Sequence, residues 1–205
     1  MFITFEGIDY TGKSTQARLL CDYLKSNKYK VLLLREPGGT KISERIREIL
    51  LDKIHLEINL STEFLLFSAA RAQLVNELIK PALRKKYIVI CDRYFDSSTA
   101  YQGYGSGLDI KKISEINEFA TGSLTPDLTF LFDISPRKAF RRHSIRKNKK
   151  DRMETKNFTF YNKVCKGFKE IADKNKKRFV VIDGSQSIEV IHSLIIKKVK
   201  NKIKL

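Results

Sequence analysis

The stretch FEGIDYTGKST, residues 5–15, decides the fold of this chain. From Gly7 to Ser14 it reads G-x-x-x-x-G-K-S, and it joins a short apolar run to an amphipathic one. In that context the backbone N–H groups of the loop and the start of the next helix form a nest for phosphates. The lysine reaches the β- and γ-phosphates, and the hydroxyl that follows it ligates Mg²⁺. The loop therefore predicts a site for a nucleoside triphosphate that comprises Gly7, Ile8, Asp9, Tyr10, Thr11, Gly12, Lys13, Ser14 and Thr15.

Short apolar runs alternate with helical patterns along the rest of the chain. The predicted strands cover residues 2–6, 29–35, 87–92, 128–133 and 178–183. The predicted helices cover residues 14–27, 42–51, 62–86, 111–121, 136–147, 157–176 and 188–202. This alternation predicts an α/β fold with a parallel sheet and helices on both of its faces. Because no long linker interrupts the 205 residues, we expect residues 1–205 to form one domain.

Polar residues follow the predicted strands at the edge where parallel sheets bind ligands. Glu36 follows the second strand, and Asp92 and Arg93 end the third. Asp92 suits a Walker B role, in which it holds Mg²⁺ together with Ser14, although it could instead cap the following turn. Arg93 can clamp a phosphate with two donors, although an ion pair with Asp92 or Asp96 is the alternative.

Two further segments supply candidate binding residues. Phe67 and Arg71 are four residues apart, so they share one helical face and could stack on a base and bond its carbonyls. The same spacing also fits a core position for Phe67. After Arg93, the segment 97–102 is rich in hydroxyls and ends in Gln102, and the glycines at 103, 105 and 107 predict a flexible turn.

Composition limits the class of protein. The net charge is +17, and residues 134–205 hold 22 Lys and Arg against 6 Asp and Glu. A solvated helical surface explains most of this excess, and a mobile basic segment that closes over phosphates is the alternative for residues 137–152. Nucleic-acid binding is disfavoured, because no aromatic residues alternate with the basic ones at the C-terminus. No apolar run approaches the roughly 18 residues of a membrane span, and no signal peptide is expected before a loop that starts at residue 7. Three widely spaced cysteines suggest neither a disulfide framework nor a zinc site, so we expect a cytoplasmic protein.

Taken together, the motifs resemble those of thymidylate kinases (dTMP kinases), and the bacterial form most closely. The resemblance rests on FEGID-x-x-GKST, REPGGT, F-x-AAR-x-QLV, IKPAL, DRY-x-x-SS-x-AYQG, PDLT-x-x-x-D and DRME, and it covers most of the chain. It implies a P-loop NTPase fold of three layers, α/β/α, with a five-stranded parallel sheet and a helical lid at about residues 137–155. It also implies that ATP, with Mg²⁺, phosphorylates dTMP to dTDP, and that the enzyme is a homodimer.

The resemblance also implies roles for individual residues. Phe67 would stack on thymine, Arg71 would bond its carbonyl edge, and the carboxylate of Asp9 would accept a hydrogen bond from the deoxyribose 3′-hydroxyl. Arg93 and Arg47 would hold the acceptor phosphate. The implied acceptor site comprises Asp9, Glu36, Arg47, Phe67, Arg71, Arg93, Ser98 and Gln102, and Lys13 and Arg93 would act in catalysis.

Tyr10 differs from the residues that thymidylate kinases carry at this position of the loop. Some thymidylate kinases carry an arginine at this position of the loop, and others have a small residue there and supply the arginine from the lid. Since Tyr10 is neither, we expect a lid arginine to act, with Arg146 first and Arg142 next among Arg141, Arg142, Arg146 and Arg152. Tyrosine also disfavours positive φ, so the local conformation of the loop stays open.

Other functions remain possible from the sequence alone. The chain could be another nucleoside monophosphate kinase, a deoxynucleoside kinase, or a basic ATPase that binds nucleic acid. A switch GTPase is disfavoured, because the string NKKD at 148–151 does not follow an apolar strand.

Overall fold

The computed structural model describes residues 1–146, 152–153 and 156–203, without the side chains of residues 143–146. In this part of the chain, five parallel strands form one sheet in the order β2-β3-β1-β4-β5. The strands are β1 (Phe2–Glu6), β2 (Val31–Arg35), β3 (Ile88–Asp92), β4 (Leu128–Asp133) and β5 (Phe179–Asp183). All five were predicted, and β2, β3 and β5 begin one or two residues later than expected.

Helices connect the strands and flank the sheet. They are α1 (Lys13–Ser26), α2 (Lys41–Leu51), α3 (Leu60–Leu74), α4 (Lys80–Arg84), α5 (Phe95–Ser98), α6 (Ile110–Thr121), α7 (Pro136–Arg146), α8 (Phe158–Lys174) and α9 (Ile188–Ile203). Two π-helical segments, Val75–Ile79 and Thr99–Gly105, join α3 to α4 and continue α5. The parallel sheet with flanking helices confirms the predicted α/β class.

Strand β1 lies at the centre of the sheet, and all five of its residues are buried. Side chains alternate across a strand, so β1 contributes to both faces. Ile3 and Phe5 pack with Leu20 of α1 and Ile195 of α9. Phe2 packs on the opposite face in the cluster that includes Leu74 of α3. This double burial explains why the first strand reads as a nearly continuous apolar run.

The strand order creates the ligand-binding edge. Strand β1 pairs with β3 on one side and with β4 on the other. The connections between strands therefore turn in opposite directions on the two sides of the C-terminal end of β1. Ligands bind at such a switch point in open α/β sheets. Phe5 pairs with Asp92, and Arg35 pairs with the same residue on the far side of β3. The residues that follow these three strands therefore emerge next to one another.

Gly7 allows the loop after β1 to pass close to β4. Its φ is +131°, and a Cβ at this position would lie 2.8 Å from the carbonyl oxygen of Phe132. Any other residue would force the two backbones apart. The first glycine of the motif is thus required by packing against the sheet as well as by phosphate binding.

The long helix predicted over residues 62–86 is interrupted. Helix α3 ends at Leu74, the π-helical segment Val75–Ile79 follows, and α4 begins at Lys80. The wide turn ends two residues before Pro81, which has no N–H and whose ring crowds the carbonyl of the preceding turn. The apolar periodicity predicted a helix correctly but carries no sign of this local widening.

The flexible turn predicted at Gly103 and Gly105 is wrong. Both residues lie in the π-helical segment Thr99–Gly105, and only Gly107, with a φ of +86°, lies in the turn that follows. A Cβ on Gly105 would meet a ring carbon of Phe160 at 2.6 Å and a methyl of Val164 at 2.8 Å. The glycine therefore serves the close approach of α8 to this segment.

The basic C-terminal helix has an ordinary amphipathic arrangement. Ile191, Ile195 and Val199 of α9 recur at four-residue spacing and are buried, whereas Lys197, Lys198 and Lys200 are exposed. This supports the interpretation of the lysine excess as a solvated surface. Among the helices of the described ranges, none is both long and apolar enough to cross a bilayer.

Candidate active site

A cavity of about 360 Å³ opens at the C-terminal edge of the sheet. The loop after β1, the residues that follow β2 and β3, and side chains of α2 and α3 form its walls. It brings together every predicted site residue from Asp9 to Ser14 and from Glu36 to Gln102. The predicted residues Gly7 and Ile8 begin the same loop but are not among the described residues that line the cavity, and Ile8 is buried.

Lys13 folds back onto its own loop in this structure. Its Nζ donates to the carbonyl of Ile8 at 2.5 Å and to the hydroxyl of Thr11 at 3.3 Å. Burial, together with the charge of Arg93, lowers the pKa of Lys13 to about 8, while Asp92, Asp9 and Glu6 act in the opposite direction. The ammonium group is thus held where phosphate oxygens would replace the carbonyl as its acceptor.

Ser14 and Asp92 meet at the end of β3. The Ser14 hydroxyl donates to one oxygen of the Asp92 carboxylate. The other oxygen of Asp92 is buried and accepts no hydrogen bond from the described residues. A hydroxyl beside a carboxylate with an open acceptor oxygen fits a hard divalent cation such as Mg²⁺. The described hydrogen bonds of Asp92 do not include the turn-capping contact that was the alternative role.

Arg93 ties the phosphate loop to the helix after β3. Its Nη1 donates to the carbonyl of Gly7 at 2.9 Å and to the Ser97 hydroxyl at 3.1 Å. Its Nη2 forms an ion pair with Asp9 and lies 3.2 Å from the Tyr101 hydroxyl. The alternative partners expected from the sequence, Asp92 and Asp96, are wrong, because Arg93 forms its ion pair with Asp9 and Asp96 forms its own with Arg178.

Asp9 is the counter-charge of this site. It accepts hydrogen bonds from Arg93 and from the Tyr101 hydroxyl, the latter at 3.1 Å. Burial alone would raise the pKa of Asp9, but Arg93, Lys13 and the two hydrogen bonds bring it below its ordinary value. The carboxylate is therefore ionised at neutral pH and balances two cations of the cavity.

One wall of the cavity comes from α3. Phe67 is half-buried there and lines the cavity with part of its surface exposed, so it is not a pure core residue. Arg71 lies one turn further along the same face and is almost fully buried. It donates to Glu36 at 2.8 Å, Asn117 at 2.9 Å and Ser98 at 2.9 Å.

The Arg71 guanidinium is thus a junction between four elements, and most of its N–H groups are used inside the protein. Burial raises the pKa of Glu36 to about 7 against the opposing influence of Arg71. Arg47 approaches from α2 and donates to the carbonyl of Pro37 at 2.9 Å. Gln102 completes this wall and is buried.

Tyr10 connects the phosphate loop with α7. Its φ is +63°, so a tyrosine occupies the left-handed conformation that glycine adopts more readily. Its ring packs edge-on against Phe140 of α7, with 5.5 Å between centroids. Tyr10 therefore contacts α7 while it also lines the cavity.

Among the candidate lid arginines, Arg142 and Arg152 have different surroundings. Arg142 of α7 donates to the carbonyl of Gly184 at 2.8 Å and to that of Thr11 at 3.4 Å. Arg152 is buried, lies 2.8 Å from Glu63 of α3, and donates to the carbonyl of Leu50. Helix α7 ends at Arg146, and the side chain of Arg146 and residues 147–151 and 154–155 lie outside the described part, so the role given to Arg146 stays a prediction.

Known proteins resemble this chain over nearly its whole length. The sequence profile of the thymidylate kinase family matches residues 5–195. The chain belongs to the thymidylate kinase family. It is 48% identical over 200 residues to the thymidylate kinase of Kosmotoga olearia, which covers 97% of this chain and 94% of that one. It is 46% identical to that of Caldanaerobacter subterraneus subsp. tengcongensis over 99% of this chain and 96% of that one.

A solved structure agrees with this assignment. The crystal structure of thymidylate kinase from Ehrlichia chaffeensis superposes with a TM-score of 0.79 at 40% sequence identity, over 98% of both chains. The family assignment and this likeness confirm the P-loop kinase fold expected from the sequence.

Several residues of this family member's site were missed by sequence reasoning. Glu6 is the last residue of β1 and accepts hydrogen bonds from the Tyr94 N–H at 2.8 Å and the Ser97 hydroxyl at 2.6 Å. Asn117 of α6 orients Arg71, and Glu63 of α3 contacts Gln102. The only sign of such residues in the sequence is a charged residue at a position that the apolar pattern predicts to be buried, as for Glu6 at the end of β1.

Glu6 gives the stability of the protein a pH dependence. Burial, and then the charge of Asp96, raise its pKa from 4.5 to about 8, although Ser97, Arg93 and Tyr94 oppose this. The folded state therefore holds a proton that the unfolded state has lost, and the stabilisation is lost as the pH rises through about 8. The free energy of unfolding should fall by up to about 1.4 kcal/mol per pH unit between about pH 5 and 8.

Glu6→Gln should flatten this decline, because glutamine keeps an acceptor for Tyr94 and does not titrate. Urea denaturation of both proteins at several pH values measures the difference. Glu115→Gln, at an exposed position of α6, is the matched control and should follow the wild type. Equal slopes for wild type and Glu6→Gln would show that Glu6 does not carry the effect.

Proposed function

We propose that this chain transfers the γ-phosphoryl group of ATP to dTMP and so forms dTDP for dTTP synthesis. The observation that carries the proposal is the pairing of two cations across one cavity. Lys13 lies on the phosphate loop, and Arg93 faces it from the end of β3 beside a wall that includes Phe67. One side suits a triphosphate and the other suits a phosphate joined to a planar base.

The chemistry needs little more than positioning and charge neutralisation. The phosphate of dTMP is already mostly dianionic near neutral pH, since its second pKa is about 6. One of its oxygens forms a bond to the γ-phosphorus as the bond to the β,γ-bridging oxygen breaks, and ADP leaves with that electron pair. No general base is required. The protein has to align two polyanions and offset their charge.

On the ATP side, the loop Gly7–Thr15 would surround the phosphates with its N–H groups. Lys13 would exchange the Ile8 carbonyl for phosphate oxygens, and α1 would direct its N-terminus at them. Ser14 and Asp92 would hold Mg²⁺, which neutralises charge on the β- and γ-phosphates when bound. The neighbouring hydroxyl and the open carboxylate oxygen support this assignment.

On the acceptor side, Arg93 and Arg47 would bind the phosphate of dTMP, with Glu36 beside it. Phe67 would stack on the thymine ring, and Asp9 would accept from the 3′-hydroxyl in addition to its present donors. Arg71, Ser98 and Gln102 would form the edge of the base site. Few N–H groups of Arg71 are left to bind a ligand. We therefore assign Arg71 mainly to holding Glu36 and Ser98 in place.

The remaining expectations are part of the same proposal. Residues 1–205 would form one kinase domain with a lid at about 137–155, and Arg146 would supply the arginine that the phosphate loop lacks at Tyr10. The enzyme would work in the cytoplasm without nucleic acid or membrane. It would be a homodimer, because large apolar side chains are exposed on three adjacent helices: Ile42 and Ile49 of α2, Leu65 of α3, and Phe119 of α6.

A panel of acceptors tests the reaction. Coupled detection of ADP with dTMP, dUMP, dCMP, dGMP and thymidine should show the highest kcat/KM for dTMP. Turnover of thymidine without turnover of dTMP would identify a nucleoside kinase. ATP hydrolysis that depends on oligonucleotides and yields no dTDP would identify a nucleic-acid-dependent ATPase.

Lys13 should make ATP binding sensitive to alkaline pH. With a pKa of about 8, it begins to lose its charge at a pH where the phosphates of ATP are fully ionised. Binding of a non-hydrolysable ATP analogue with Mg²⁺ should therefore weaken by up to about tenfold per pH unit above pH 8. Calorimetry at about pH 7 to 9.5 measures this, with proton uptake near pH 8 as a second sign.

The matched control is Lys13→Arg, whose guanidinium stays charged over this range. Its affinity should vary less with pH than that of the wild type, even if it is lower throughout. The same pH dependence in both proteins would place the titrating group elsewhere.

The dimer proposal has its own test. Leu65→Lys introduces a charge on an α3 side chain that is 52% exposed and should convert the protein to a monomer in sedimentation velocity. Val190→Lys, on α9 and 54% exposed, is the control and should leave the sedimentation coefficient unchanged. A monomeric wild type would refute the proposal.

A further inference from the structure

We propose that Glu63, held by Arg152, is a positioning residue that fixes the orientation of the Gln102 amide and thereby selects the base of the acceptor. The selected base carries an N–H at the ring position that faces Gln102, as thymine and uracil do at N3. A base with a bare ring nitrogen there, as in cytosine, would be rejected. This inference rests on the proposed function. It assigns the base specificity of that reaction to the Gln102 amide as oriented by Glu63.

Glu63 lies on the face of α3 that forms one wall of the cavity, the wall on which Phe67 would stack against the base. Glu63, Phe67 and Arg71 follow one another at intervals of four residues, so they are stacked along one side of the helix. Glu63 is 1% exposed, and no solvent is available to satisfy its carboxylate. A charged group at such a position needs a partner within the protein.

Among the described residues, Glu63 contacts Gln102 and Arg152. The Nε2 of Gln102 donates to its Oε1 at 3.0 Å. The Nη2 of Arg152 lies 2.8 Å from its Oε2, and Arg152 is itself anchored through its backbone N–H to the carbonyl of Leu51. The ion pair keeps the carboxylate in place and leaves its other oxygen for the amide.

The carboxylate decides which way the amide points. An ionised carboxylate only accepts hydrogen bonds, so Gln102 must direct its NH₂ group at Glu63. The carbonyl oxygen of the amide then lies on the opposite side. That oxygen accepts no hydrogen bond from the described residues, and Gln102 lines the cavity that Phe67 also lines. The wall therefore presents an acceptor to the ligand.

An acceptor in this position discriminates between bases of the same shape. The N3–H of thymine is a donor and can bond to the Gln102 carbonyl oxygen. The N3 of cytosine is an acceptor and would face it with two lone pairs opposed. Reversing the amide would place its carbonyl oxygen against the Glu63 carboxylate, so the site cannot adapt by a flip. A site built to pair a polar group rejects a ligand that leaves it unpaired.

The test compares dTMP with 5-methyl-dCMP, which keeps the methyl group and ring shape and changes the donor pattern. In Glu63→Gln, the new amide can donate or accept, so Gln102 becomes able to turn. The ratio of kcat/KM for dTMP to that for 5-methyl-dCMP should fall about tenfold, with the KM for ATP unchanged. Because it is a ratio, it does not depend on the fraction of folded enzyme. An unchanged ratio would overturn the proposal.

Two further variants separate positioning from general damage. Glu63→Gln removes the Glu63 carboxylate from beside the Arg152 guanidinium. Glu63→Gln/Arg152→Met removes that buried positive charge as well and should show the same fall in the ratio. In a Gln102→Leu background the ratio should be low already, and adding Glu63→Gln should not lower it further. A further fall in that background would show that Glu63 acts by another route.

The control is Glu77→Gln, an exposed glutamate in the π-helical segment after α3, whose ratio should equal that of the wild type. The wild-type measurement keeps the two proposals distinct. If the wild type does not phosphorylate dTMP, the proposed function fails. If it prefers dTMP and the Glu63 variants keep that preference, only the role of Glu63 fails.

Discussion

The structure depends on keeping several cations close together in a site that has to be stable before its anionic ligands arrive. Lys13, Arg93 and Arg71 line one cavity and are largely buried, and like charges repel more strongly there than in bulk water. Each is matched by an acid or a carbonyl of the protein: Asp9 for Arg93, Glu36 for Arg71, and the loop carbonyls for Lys13. These partners set the backbone course of the loop and of the segment after β3. Ligand phosphates would then replace contacts that already have the right geometry.

The same requirement accounts for the acids behind the site. Glu6 is fully enclosed, and burial together with the charge of Asp96 raises its pKa to about 8 against the opposing influence of Ser97, Arg93 and Tyr94. Asp96, whose charge contributes to this shift, is itself held by a two-pronged contact with Arg178 of the segment before β5. Charge balance in the cavity thus reaches across three strands of the sheet.

Much of this fold and part of the site could be predicted from the sequence. The apolar strand, the glycine-bounded loop and the helix after it are local features, so their pattern predicts both the fold and the position of Lys13. The positions of Asp92 and Arg93 follow because the ends of parallel strands share an edge. The partner of Arg93 could not be predicted, since Asp9, Asp92 and Asp96 are all close in sequence or expected in space and only the folded geometry chooses among them. The burial of Arg152 could not be predicted either, because a basic segment gives no sign of which of its arginines is buried.

The π-helical segment Thr99–Gly105 has a consequence for how this family member can change by insertion and deletion. A π-helical turn holds one more residue than an α-helical turn, and here the additional residue places Tyr101 against Asp9 and Gln102 against Glu63. Loss of a single residue would let the segment relax to an ordinary helix and rotate every side chain after the deletion by about 100°. Both contacts would then be lost together, while the apolar pattern of the segment would look almost unaltered. The number of residues in this segment is therefore more strictly constrained than the chemical nature of most of them.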